Sequence, residues 1–293
     1  MRKLVLVTVL MISLVFVGCS SDNGNTISIG GKDYVEQDIL VYITGELIEA
    51  QTDLEVNYRN WLGGTNVVDG ALHRGDLDMY VEYTGTALIN LLDLDLVNDP
   101  QQAYDIVADK YDEMGVKWLK PLGFNNTYVL SMREDRAEEL GVEKVSDLKE
   151  HADELILGAT HEFLERSDGY QGLQEAYGFE FGDTAGFDPG LTYAAVRDGN
   201  ADVNDAFATD GRIMAFNLKM LEDDKNFFPP YYAAPIVRHD TLEEHPELEE
   251  VLNMLAGRID DETMSSLNGQ VDLDGEEPRD VARDWLESEG LLE

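Results

Sequence analysis

The chain has one cysteine in 293 residues, at position 19. A single thiol excludes an internal disulfide, a redox pair and a cysteine-rich metal site. Positive charge is scarce: Lys plus Arg number 21 against 60 Asp plus Glu, a formal charge of −39. Such a surface repels phosphate backbones, so nucleic-acid binding is excluded. Apolar runs long enough to span a membrane are absent after residue 17. Chemical motifs are missing as well. There is no Gly-x-x-x-x-Gly-Lys-Ser/Thr loop, so any ATP hydrolysis belongs to another subunit. No Ser sits in a Gly-x-Ser-x-Gly turn. The five His (73, 151, 161, 239 and 245) are scattered, and His161-Glu162 is followed by FLER, not by the second His of a zinc-protease helix. Nothing in the sequence predicts catalysis, a metal or a cofactor.

What is present begins at the N-terminus. Arg2 and Lys3 precede an apolar stretch over 4–17, then Gly18-Cys19 and the polar run SSDNGNT. A basic start, a short apolar core and a small residue before a cut describe a secretory signal. The stretch falls short of the about 20 residues of a membrane span. The position of Cys19 predicts a lipoprotein signal over 1–18, with Cys19 lipidated and residues 19–25 as a tether. The acidic excess predicts a surface suited to a salty or alkaline habitat. At about 1 M salt the Debye length is roughly 3 Å, and self-repulsion between carboxylates is screened.

Beyond the tether, strands and helices alternate. TISIG (26–30) reads as a strand, and residues 33–50 as a helix whose start Asp33 and Glu36 cap. Strands follow at 54–58, 77–83, 116–119, 127–132, 154–159 and 202–207, with helices at 100–114, 161–176, 191–198 and from 209. SDL (146–148) opens a short helix, and a second helix starts after TGT at 84–86. The tail from 246 is helical, with Pro246 and Pro278 at helix starts. This alternation predicts α/β layers with largely parallel sheets. Two sets predict two lobes: 26–122 with 232–293 as lobe 1, and 123–231 as lobe 2, the ligand cleft between them.

Four segments put aromatics at strand ends: EYTGT (82–86), FNNTY (124–128), AFATDG (206–211) and FFPPYY (227–232). In α/β lobes those ends face the ligand crevice. With KDYVEQDIL (32–40), LGGT (62–65), ALHRGDLDMYVEYTGT (71–86), NNTYVLSM (125–132), EFLERSDGYQGL (162–173), ATDGRI (208–213), LEDDKNFFPPYYAAP (221–235) and HPEL (245–248), the chain resembles the solute-binding proteins of glycine betaine/carnitine/choline ABC importers. The resemblance runs through nearly all of the chain after the signal.

It implies a two-lobe periplasmic-binding-protein fold of type II with two crossing hinge strands, on the outer face of the cytoplasmic membrane. It also implies a membrane permease and a cytoplasmic ATPase as partners. The implied ligand is a quaternary ammonium compound, held in an aromatic cage of Tyr83, Tyr128, Phe207 and Tyr231. A quaternary nitrogen donates no hydrogen bond, and a ring face is its best dry partner. The family usually has Tyr at the Phe207 position; Phe keeps the π face and loses the hydroxyl. The polar end of the ligand is expected at Gln37, Thr86 and Asn126, donors that suit a carboxylate without a buried Arg. Position 86 varies between Thr and Asp in the family, and a neutral Thr leans toward betaine-like zwitterions over choline. A ligand-sensing ectodomain of the same fold is the alternative that the sequence leaves open.

Overall fold

The structure is a computed structural model and describes residues 25–292. The signal, Cys19 and most of the tether lie outside the described residues. Among the described residues, ten strands form two five-stranded sheets. The first holds β1 (Thr26–Gly30), β2 (Glu55–Arg59), β3 (Met79–Tyr83), β4 (Val116–Trp118) and, late in the chain, β10 (Ala233–Arg238). The second holds β5 (Tyr128–Arg133), β6 (Ile156–Thr160), β7 (Asp183–Phe187), β8 (Val203–Phe207) and β9 (Leu218–Met220). Their orders are β2-β1-β3-β10-β4 and β7-β6-β8-β5-β9.

The two orders are one plan used twice. In each sheet, one strand runs against the rest: β10 is antiparallel to β3 and β4, and β5 is antiparallel to β8 and β9. Each sheet is therefore mixed, where largely parallel sheets were expected. The physical reason is the double crossing. β5 and β10 are the first strands laid down after the chain passes from one sheet to the other, and each enters from the cleft side. The two crossing segments meet in an antiparallel bridge at Asn125 and Tyr232.

β10 sits centrally although it contains Pro235. A proline brings no N–H to a ladder and normally marks an edge. Here the Pro235 carbonyl accepts from the Leu119 N–H (2.9 Å), while the Leu119 carbonyl accepts from the Tyr104 hydroxyl (2.9 Å). The tyrosine supplies the donor that proline lacks.

The helix Val35–Gln51 is buried on most of its surface, with Ile39, Leu40, Ile43, Leu47 and Ile48 in the core. It packs on β2 and on the C-terminal helix Pro278–Ser288. The tail thus returns to the first sheet. Neither Asp33 nor Glu36 caps the helix start: the N-cap is Tyr34, without a side-chain cap, and Glu36 points into the interior. The expected helix over 161–176 is broken into His161–Glu165 and Tyr170–Tyr177. Arg166 between them is extended, and a Cβ on Gly169 would fall 2.1 Å from the Phe163 carbonyl oxygen. The Ser-Asp-Gly turn at 167–169 makes that break. After β3 the chain enters a π-helical turn, Thr86–Leu91, and after β8 the helix shrinks to Arg212–Ala215.

Candidate functional site

Strand ends from both sheets face one cavity of about 560 Å³, part of it open to solvent. Tyr83 ends β3 and Phe207 ends β8, at corresponding places in the two sheets. Tyr128 begins β5 and is the register partner of Phe207. Tyr231 comes from the return crossing. All four rings line the cavity, as do Thr86 and Asn126.

The rings are positioned by packing. The Tyr128 ring lies 4.9 Å from Phe207 and 5.6 Å from Tyr231, the latter edge-on at 87°. Phe163 supports it from behind at 5.1 Å. Tyr231 approaches the turn after β3 so closely that a Cβ on Gly85 would meet its ring at 2.8 Å, which requires glycine there. Burial pushes the hydroxyls of Tyr83, Tyr128 and Tyr231 up, so they stay neutral.

Gln37 does not reach the cavity wall. Its amide donates to the Val81 carbonyl (2.9 Å) and the Tyr83 hydroxyl (3.1 Å). The reason is topological. β1 pairs with β3 only at Met79 and Tyr80, so the Val81 carbonyl lies beyond the end of β1 and takes a side-chain donor instead. Asn126 is in the wall; one N–H of its Nδ2 donates to Glu36 (2.7 Å), and Oδ1 has no partner among the described residues. This residue, expected as a donor, thus has one of its two N–H groups already engaged.

Several lining residues were not anticipated, among them an aromatic and three charged side chains. Tyr34 stacks on Phe207 across the cleft, with centroids 5.8 Å apart and planes at 8°. Lys32, Arg166 and Glu162 bring charge to the wall. Lys32 Nζ lies 2.6 Å from Glu82 Oε1 and 5.2 Å from the Tyr83 ring centre. Arg166 bonds Asp168 through Nε (2.7 Å) and Glu162 through Nη1 (2.9 Å), and its guanidinium lies 5.6 Å from the Tyr128 ring centre. The Tyr231 hydroxyl donates to the same Asp168 (2.8 Å). Burial works to raise the Glu162 carboxyl, but Arg166 and Lys32 outweigh it and hold it below the usual range. A buried Arg at the site contradicts the expectation of a pocket without one. The signal was the helix-breaking Ser-Asp-Gly, which turns Arg166 and Asp168 inward.

Each lobe thus sets a cation beside one pocket tyrosine, with a buried carboxylate to neutralise it. Such a wall suits a ligand carrying both charges: ring faces for a cation, and N–H groups of Lys and Arg for an anion. Among the described residues no cluster of His, Cys, Asp and Glu is arranged to hold a metal.

Two lobes closing on an aromatic cavity, with a doubled sheet plan and two crossing segments, define a two-lobe solute-binding protein of type II. A crystal structure titled glycine betaine/carnitine/choline ABC transporter superposes with a TM-score of 0.76 at 33% identity, covering 91% of this chain and 100% of that one. The family model for the substrate-binding domain of ABC-type glycine betaine transport systems matches residues 25–288, and the chain belongs to that family. The carnitine transport binding protein OpuCC of Listeria monocytogenes is 37% identical over 279 residues, 94% of this chain and 91% of that protein. A glycine-betaine-binding protein of Pseudomonas aeruginosa is 38% identical over 279 residues, covering 92% and 89%.

Proposed function

We propose that the chain captures zwitterionic quaternary-ammonium osmoprotectants, glycine betaine and carnitine, and delivers them to an ABC permease driven by a cytoplasmic ATPase. The observation that carries this reading is the cavity itself. Rings of Tyr83, Tyr128, Phe207 and Tyr231 line it together with the cations Lys32 and Arg166. A trimethylammonium head desolvated against ring faces gains about 2 kcal/mol or more. A carboxylate gains from the remaining N–H groups of Lys32 and Arg166 and from Thr86, whose hydroxyl has no hydrogen bond among the described residues. Choline carries the first group and lacks the second, so it leaves those N–H groups without an anionic partner.

The protein acts by binding, with no bond made or broken. It is anchored by lipid on Cys19 to the outer face of the cytoplasmic membrane, and its acidity suits high salt. Calorimetric titration with glycine betaine, carnitine, choline and proline tests the ligand. Betaine and carnitine are expected to bind, choline more weakly and proline least. Choline binding tighter than both zwitterions overturns the reading. Metabolic labelling with palmitate tests the anchor: label that persists in Cys19→Ala removes that assignment.

A further inference from the structure

Glu36 is buried in the first turn of the helix Val35–Gln51, and among the described residues it has no ion-pair partner. Its two oxygens accept four hydrogen bonds from four separate parts of the chain. Oε1 takes the Tyr83 hydroxyl (2.7 Å) and Asn126 Nδ2 (2.7 Å). Oε2 takes the Thr209 hydroxyl (2.6 Å) and Asn268 Nδ2 (3.0 Å). Every lone-pair direction of a carboxylate is filled by a neutral donor. Burial pushes the carboxyl up, and each of the four bonds pulls it back.

The donors divide by place. Tyr83 ends β3, Asn126 lies on the first crossing, and Asn268 sits on the helix Asp261–Asp272, which packs on the helix of Glu36. Thr209 follows β8, in the opposite sheet. Asn268 Nδ2 also donates to the Thr209 carbonyl (3.0 Å), so one residue of the second lobe is gripped twice. Two residues before each partner the same pairing recurs: Tyr34 stacks on Phe207. The pair Tyr34 and Glu36 thus meets the pair Phe207 and Thr209 across the cleft. Tyr83 and Asn126, held by the other oxygen, are cavity wall.

We propose that Glu36 is a positioning residue that couples lobe closure to the shape of the ligand cavity. Opening the cleft withdraws the Thr209 hydroxyl and leaves a buried carboxylate short of one donor. Closing restores it while the other oxygen fixes Tyr83 and Asn126. Ligand residence is therefore set in part by a bond that no ligand atom touches. Loss of that donor speeds opening, so the effect falls on the off-rate and leaves the on-rate near its original value.

The test is Thr209→Val, which keeps the shape and removes the hydroxyl, beside Thr209→Ser, which keeps the hydroxyl. The choice of probe rests on the ligand reading above. With the full chain and glycine betaine or carnitine, Thr209→Val is expected to raise the off-rate about ten-fold, the scale of one unsatisfied buried acceptor. Thr209→Ser is expected to return it to within about three-fold of the original chain. An unchanged off-rate in Thr209→Val overturns the proposal. If the original chain binds neither compound, the ligand reading fails and hydrogen exchange of the ligand-free chain decides this one. Faster exchange in Thr209→Val confined to 34–38 and 207–211 supports it. Exchange that is unchanged, or raised throughout the molecule, overturns it.

Discussion

The two lobes repeat one sheet plan, yet they fix their pocket tyrosines by different means. In lobe 1, Tyr83 is held at its hydroxyl, between the Glu36 carboxylate and the Gln37 amide. In lobe 2, Tyr128 is held at its ring, wedged among Phe163, Phe207, Phe228 and Tyr231, and no hydrogen bond to its hydroxyl occurs among the described residues. The buried charges differ in the same way. Glu82, near the end of β3, has Lys32 beside it. Asp205, near the end of the corresponding β8, has no cation beside it among the described residues, and its carboxylate accepts from Thr160 through N–H (3.1 Å) and hydroxyl (2.7 Å). Burial pushes its carboxyl up to about 7. The pocket tyrosine is set by directed bonds in one lobe and by packing in the other; both lobes hold a buried ion pair, and Asp205 stands outside the one around Arg166.

The largest effect that separates the lobes is loss of a buried cation. Removing Arg166 as Arg166→Met leaves Asp168 with one donor, the Tyr231 hydroxyl. Removing Lys32 as Lys32→Met leaves Glu82 with two, the Tyr80 hydroxyl (2.9 Å) and the Tyr83 N–H (2.7 Å). Breaking one side of a buried pair costs about 3–5 kcal/mol. Arg166→Met is expected at that level and Lys32→Met below it, read by urea denaturation. Equal losses would mean that the two pairs are interchangeable, and the contrast between lobes would fail.

Next is pH. The Asp205 carboxyl is raised in the folded state, so its contribution to stability is fully present below the unfolded value near 4. It is lost as pH rises through about 7. Asp205→Asn should flatten that part of the curve, making the loss of stability between pH 5 and 8 smaller by about 2–3 kcal/mol. A variant curve parallel to the original one shows that Asp205 does not titrate in this window.

A smaller effect tests hydroxyl against ring. Tyr83→Phe removes one of four donors to Glu36, and an acceptor left short in a buried site costs about 1–3 kcal/mol. Tyr128→Phe removes a hydroxyl that bonds nothing among the described residues, and should change stability by less than about 0.5 kcal/mol. Thermal melts of the two variants check this; the reverse order would mean that hydroxyl bonding governs lobe 2 as well.

The sequence made the alternation legible because most strands are short apolar runs bounded by turns, and because cavity residues sit where strands stop. It hid β10, since Pro235 reads as a strand breaker until Tyr104 is seen to supply the missing donor. It hid β7, whose DTAGF carries little apolar character. Among site residues, aromatics at strand ends could be listed from order alone. Direction could not. Gln37 and Asn126 are polar residues in the right neighbourhood, but the Val81 carbonyl and the Glu36 carboxylate claim their donors first. Arg166 looked like one more cation in a helix, because the break that turns it inward depends on three following residues and a backbone contact at Gly169.

The last expected effect concerns choice of ligand, and its substitution lies in lobe 1. Thr86 opens the π-helical turn after β3 and lies in the cavity wall, buried, in the same wall as Lys32 and Arg166. A hydroxyl there can donate to a ligand carboxylate. In Thr86→Asp the new carboxylate competes with the ligand's own for those two cations and repels it, whereas it accepts the hydroxyl of choline. Fold damage would weaken both ligands together, so the quantity to measure is the ratio of affinities for glycine betaine and choline. A shift of about 1.4 kcal/mol, or ten-fold, toward choline is expected from one new repulsion and one new hydrogen bond. The melting temperature guards the comparison. A ratio that stays fixed while the variant melts like the original chain would remove Thr86 from the ligand's polar end. It would leave Lys32 and Arg166 as the groups that meet the carboxylate, and would shift discrimination toward the Arg166 side of the cleft.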